Sequence, residues 1–145
     1  MNMKGKFLKV CVLGACFCAF VTGCQQTPQH KAEAIIEAYL QENLNDPSSY
    51  ESVNMGKLER VSTEEYAWRA CQREAAAHGL PADTVFGMMK KFNEMHAGEN
   101  IKGDTLYWEL EHTYRAKNAY GAIIKHTYVF KFDKQLENIV ATDIK

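Results

Sequence analysis

Two stretches decide the fold: Leu106–Arg115, reading LYWELEHTYR, and Ile123–Phe132, reading IIKHTYVFKF. In the first, Leu106, Trp108, Leu110, His112 and Tyr114 alternate with Tyr107, Glu109, Glu111, Thr113 and Arg115. In the second, Ile124, His126, Tyr128, Phe130 and Phe132 alternate with Ile123, Lys125, Thr127, Val129 and Lys131. Successive side chains of a strand point to opposite faces, so a period of two predicts two strands, each with one aromatic face. Asn118-Ala119-Tyr120-Gly121 lies between them, and the glycine accepts the positive φ of a type I turn followed by a bulge. The pair is therefore a hairpin. Asp133-Lys134-Gln135 forms a second turn, and Leu136 to Ile144 a third strand of weaker alternation, which completes an antiparallel meander.

Upstream of residue 106 the period changes from 2 to 3.6. From Lys31 to Leu44, Ala32, Ile35, Ile36, Tyr39 and Leu40 recur at helical spacing opposite Glu33, Glu37, Gln41 and Glu42. The helix stops at Asn45-Asp46-Pro47, because proline disfavours helical backbone in the residue before it. Tyr50 to Val61 reads as a strand with a bulge at Gly56. Ser62 with Glu65 three residues on is a capping box that opens a second helix, with Ala67, Trp68, Cys71 and Ala75 on its apolar side and Gly79 at its end. Pro81-Ala82-Asp83 opens a third, in which Val85, Met88, Met89, Phe92 and Met95 share a face. The fold class is α+β: an N-terminal helix, a strand, two helices and a C-terminal three-stranded antiparallel meander. The expected sheet has four strands, with its aromatic face packed on the helices.

The chain begins differently. Lys4, Lys6 and Lys9 precede an uncharged, mainly apolar run from Val10 to Thr22, too short for a spanning helix of roughly 20 residues and of the layout of a cleaved secretory signal. The segment ends in Val21-Thr22-Gly23-Cys24. These four residues resemble the lipobox of bacterial lipoproteins, with Val where Leu is commoner. The resemblance implies cleavage after Gly23 and modification of the Cys24 thiol with acyl chains of the palmitate kind. Several buried chains anchor stably, at about 0.8 kcal/mol per buried methylene. The resemblance thus implies a lipoprotein signal peptide at 1–23 and a lipidated tether at 24–30, and the elements above then make a single α+β domain at 31–145. The partner at that end is a membrane, held through lipid on Cys24. In diderm lipoproteins, Asp after the cysteine marks retention in the inner membrane. Gln25 stands there instead, so the expected location is the cell outer membrane, facing either the periplasm or the exterior.

Removing 23 residues from 145 leaves 122, enough for one domain with its own core. Of five cysteines, Cys11, Cys16 and Cys18 leave with the signal and Cys24 takes lipid, so Cys71 stands alone and no internal disulfide can form. A lone cysteine on a helix is expected to be buried. The formal charge of −1 becomes −4 once three lysines depart, and no basic stripe suits a nucleic-acid backbone. No motif calls for a cofactor.

His112 and His126 fall on the aromatic face. A turn centred on Ala119 would set them opposite, and a shift by one residue would set them diagonally, one against Tyr128 and one against Tyr114. Two imidazoles make at most half a zinc site, which needs three or four ligands, so the expected role is hydrogen bonding to tyrosines at the wet end of the core. Glu109 and Glu111 read as a solvated face. A second resemblance joins Asn45-Asp46-Pro47-Ser48-Ser49 to Ala116-Lys117-Asn118-Ala119-Tyr120-Gly121. The pairing of Asp-Pro-x-Ser with Ala-Lys-Asn-aromatic-Gly is similar to one in small bacterial envelope domains, where it implies a shared fold and no defined chemistry. Arg115, Lys117, Asn118 and Tyr120 are the candidate binding edge, since polar and aromatic residues on a rigid loop are good recognition material. The expected function is a non-enzymatic envelope module that binds a protein or a glycan. The alternative is a small envelope hydrolase or metal-dependent enzyme.

Overall fold

The computed structural model describes residues 27–145; the signal segment 1–23 and Cys24 lie outside the described residues. The first helix, α1, runs Pro28–Asn43. Thr27 caps it by accepting from the His30 amide at 3.3 Å, and Pro28 occupies the first turn, where a missing N–H costs no hydrogen bond. The helix thus takes up residues 28–30, where the sequence reading places tether. Its Ala32, Ile36 and Leu40 are buried, one turn apart.

Five strands follow: β1 (Glu51–Met55), β2 (Glu59–Ser62), β3 (Thr105–Lys117), β4 (Ile123–Phe132) and β5 (Ile139–Ile144). They form one antiparallel sheet in the order β1-β3-β4-β5, with β2 also on β3. The sheet is four strands wide as expected, but its first position is split. β1 pairs with β3 near residues 112–115 and β2 with residues 105–109. The break is at Gly56, whose amide donates to the Glu111 carbonyl at 2.8 Å and where an added Cβ would meet that oxygen at 2.7 Å. Gln29 of α1 serves the other backbone groups of the break, donating to the Gly56 carbonyl at 3.0 Å and accepting from the Leu58 amide at 2.7 Å.

α1 covers the aromatic face. Ala32, Ile36 and Leu40 pack with Leu110, Tyr114, Ala116, Phe130, Phe132 and Leu136 in one buried cluster. The expected last strand starts late, because Asp133 accepts from the amides of Glu137 and Asn138 at 2.8 and 3.1 Å and closes a turn over 133–138. Within it Leu136 adopts φ 55° and is 5% exposed, its side chain held in the core.

The other two helices, α2 (Thr63–Ala77) and α3 (Ala82–Met95), do not cover the aromatic face, contrary to expectation. Ser62 is at once the last residue of β2 and the cap of α2, accepting from the Glu65 amide at 3.1 Å, so no loop lets the chain turn back under the sheet. α2 reaches the opposite, polar face instead. Tyr66 meets Tyr107 edge-on at 6.3 Å, and Arg69 donates to Glu109 at 2.5 Å. Glu109 is therefore a covered ion-pair partner, 15% exposed, and not the solvated group expected. Its hydrogen bond is the chief reason the Arg69 guanidinium is held above its ordinary pKa. Glu111 pairs with Lys145. Cys71 is half-buried, not fully buried as expected from sequence.

Candidate functional site

β3 and β4 continue as a ladder to Lys117 opposite Ile123, which leaves residues 118–122 as the tip. Asn118 builds the tip from inside: its Oδ1 accepts from the amides of Tyr120 and Ala122, both at 3.0 Å. Its backbone accepts from the Gly121 amide at 3.0 Å, and Gly121 takes φ 80°, a conformation suited to glycine. Tyr120 stands outside the turn, 94% exposed.

The distant segment after α1 braces this tip. Pro47–Ser49 forms one turn of 3-10 helix, and Ser49 Oγ accepts from the Lys117 amide at 2.8 Å while donating to the Asp46 carbonyl at 2.6 Å. Ser48 Oγ donates to the Asp46 carboxylate at 2.5 Å, and the Lys117 ammonium lies 3.7 Å from it. The Ser48 bond, with Lys117 adding to it, holds the Asp46 carboxyl below the usual carboxylate range. The two halves of the sequence pattern therefore touch.

Of the four edge residues inferred from sequence, the structure gives Asn118 an internal structural task. Arg115, 4.0 Å from Glu51, together with Lys117 and Tyr120, keeps side-chain groups turned to solvent. Two members were missed. Lys125 is opposite Arg115 and Ile123 opposite Lys117, and both are exposed. The register would have revealed them: the turn is centred on Tyr120, one residue past the symmetric choice, and that pairing sets residues 115 and 125 together.

The same register sets the histidines diagonally, His112 against Tyr128 and His126 against Tyr114. They do not converge. The Tyr114 ring lies between them, stacked at 5.4 Å on His112 and at 5.2 Å on His126. His112 is 0% exposed, so it is not at a wet end of the core as expected. Its Nδ1 is 2.9 Å from the Asn54 carbonyl, which can only accept, so Nδ1 carries the hydrogen. Nε2, 2.9 Å from the Tyr50 hydroxyl, then accepts from it. Both nitrogens are occupied, and burial pushes the imidazole pKa down. Among the described residues no group of three or more His, Cys, Asp or Glu could hold a metal ion.

A cavity of about 810 Å³ lies along the α2–α3 pair, and its lining includes the apolar Trp68, Phe86 and Met89 and the charged Glu64, Lys90 and Glu94. Trp68 and Phe86 meet edge-on at 5.4 Å. Among the described residues, no helix is long and apolar enough to cross a membrane. Comparison with protein-family models, curated proteins and solved structures finds no match to this chain.

Proposed function

We propose that this protein is a lipid-anchored envelope lipoprotein, held in the outer membrane through Cys24, and that it works as a non-enzymatic module binding a protein or glycan partner at the β3–β4 tip. The observation that carries the reading is Tyr120: a 94% exposed aromatic ring on a turn stiffened from inside by Asn118 and from behind by Ser49. Ordering a loop on binding costs affinity, so a tip already held in one conformation is suited to recognition. Arg115, Lys117 and Lys125 make it cationic, and Ile123 adds apolar area.

Direction supports the same reading. The anchored cysteine precedes Pro28 by four residues, at the end of α1 that Gln29 ties to residues 56–58 and Lys31 to Gln135. The tip is tied to the other end of α1 through Pro47–Ser49, and a helix of 16 residues spans about 24 Å. The tip thus lies toward the opposite end of α1 from Pro28, the end that follows Cys24 in the sequence.

A photo-crosslinking phenylalanine at position 120 tests this in the native envelope. A discrete adduct, lost when Lys117→Ala and Arg115→Ala are added, is the expected result; absence of any adduct from position 120 rejects the tip as the binding edge. For the anchor, an alkyne fatty acid should label the wild type and not Cys24→Ala, and persistent labelling of that variant rejects lipidation there.

A further inference from the structure

The aromatic face is not wholly covered. Beside the last turns of α1, Tyr39, Asn43, Tyr114, Tyr128, Phe130 and Thr142 line a cavity of about 190 Å³, and no charged side chain contributes to it. Tyr114 is 4% exposed and lies at its back. Its hydroxyl makes no hydrogen bond to any described protein group, and among the described residues no fully buried side-chain oxygen or nitrogen is left without a partner, so this oxygen is not sealed from solvent, and Tyr114 lines the cavity. Burial, with the hydroxyls of Tyr128, Tyr39 and Tyr50 nearby, pushes Tyr114 up to about 12. It stays a hydrogen-bond donor at any physiological pH.

Four rings make most of the walls, and Leu40 and Leu44 complete the apolar lining. Tyr114 and Tyr128 stack with centroids 6.1 Å apart and planes 17° off parallel, and Tyr39 meets Phe130 edge-on at 5.9 Å. Asn43 donates from Nδ2 to the Tyr39 carbonyl at 2.8 Å, which leaves its Oδ1 available as an acceptor. The Thr142 hydroxyl can donate or accept.

We propose that this cavity is a binding site for a neutral hydroxylated ring, the pyranose of an envelope glycan. A charged ligand would have no countercharge there, and burying an unpaired charge is costly. A purely apolar ligand would strip water from the Tyr114 hydroxyl and return nothing, which carries the full desolvation penalty. A sugar ring meets both constraints: its C–H faces lie against aromatic rings, while its hydroxyls reach a fixed donor and a fixed acceptor. The cavity is below the range of about 300–1,000 Å³ usual for drug-sized ligands, which suits one ring and not a chain. The inference rests on the binding-module reading for the source of the glycan, and it uses a different surface from the tip.

The test uses full-length protein carrying 3-fluorotyrosine, in a detergent without a sugar headgroup. It is titrated with the methyl β-glycoside of N-acetylglucosamine and with methyl β-glucoside, each a single neutral ring. The fluorine signals of Tyr39, Tyr114 and Tyr128 should shift saturably with at least one sugar. Tyr114→Phe, which removes one oxygen and keeps the packing, should weaken that binding roughly fivefold, the effect of losing one neutral hydrogen bond. Tyr120→Ala should leave it unchanged. No saturable shift with either sugar, or equal affinity in Tyr114→Phe and Tyr128→Ala, overturns the proposal and leaves a water-filled cavity. Sugar binding without an adduct from position 120 would reject the tip and keep this site; the reverse would keep the tip and reject this site.

Discussion

α1 and the α2–α3 pair meet the same sheet on very different terms. α1 lays Ala32, Ile36 and Leu40, none more than 3% exposed, onto Leu110, Phe130 and Phe132, all at 1% or less. The pair buries smaller side chains, Ala67 and Ala75 with Val85 and Met89, beside Val61 and Ile101 and outside the main cluster. It leaves Phe86 65% and Met95 74% exposed. Yet α3 has the cleaner apolar period in sequence. An amphipathic stripe says that a helix needs a partner surface, and which surface it receives depends on where the chain delivers it. α1 enters over the aromatic face, whereas α2 starts directly from the end of β2 and is carried to the polar one.

The largest test of this contrast is truncation of one ring on each side. Phe132→Ala should cost about 3–5 kcal/mol in urea unfolding, the usual range for emptying a core aromatic site. Phe86→Ala should stay within about 0.5 kcal/mol, as surface changes do. Comparable losses would mean that the α2–α3 pair shares the main core.

A smaller effect is expected at the split in the edge strand. Gly56→Ala places a methyl against the Glu111 carbonyl and should cost about 1–3 kcal/mol, the range for overpacking, with faster amide exchange at Gln29 contacts such as Leu58. An unchanged midpoint would show that β1 and β2 can slide on β3.

His112 ties the α1-covered core to pH. Its folded pKa lies below 6.5 because burial disfavours the cation, so below 6.5 the unfolded chain takes up a proton that the native state resists. Stability is full above 6.5, falls as pH drops through 6.5 toward the folded value, and levels off below it. His112→Gln should remove that slope, measured as urea midpoints between pH 7.5 and 5. An unaltered slope would assign it to other groups.

Ser49→Ala is expected to be the mildest, about 0.5–1.5 kcal/mol for the bond between the two halves of the Asp-Pro-Ser-Ser and Lys-Asn pattern. Its sharper readout is loss of order at the tip, seen as fast exchange of the Asn118 and Ala122 amides while β3 and β4 stay protected.

Much of this architecture was legible. Alternation from Leu106 to Phe132 marked the central hairpin, and its diagonal histidine register was one of two that the turn allowed. The stop at Asp46-Pro47 and the Ser62 cap are local chemistry and occur where the residues put them. Gly56 advertised a bulge, although not that the strand would break in two there. Other features were hidden because they join residues far apart in the chain. Glu109 looks solvated until Arg69 arrives from α2. Ser49 and Lys117 stand 68 residues apart, and nothing local says that one hydroxyl links them. The tyrosine cavity needs the end of α1 and three strands together.

The sequence by itself determined the three helices, the central hairpin, the antiparallel meander and which face of it is aromatic, since these follow from backbone preference and from the period of apolar side chains. The tertiary structure alone decided that only α1 covers that face, that two serines and an aspartate brace the tip, and that Tyr114 lies deep with its hydroxyl at a cavity. Those outcomes depend on packing between distant segments, where the position of the last residue of one element sets the reach of the next.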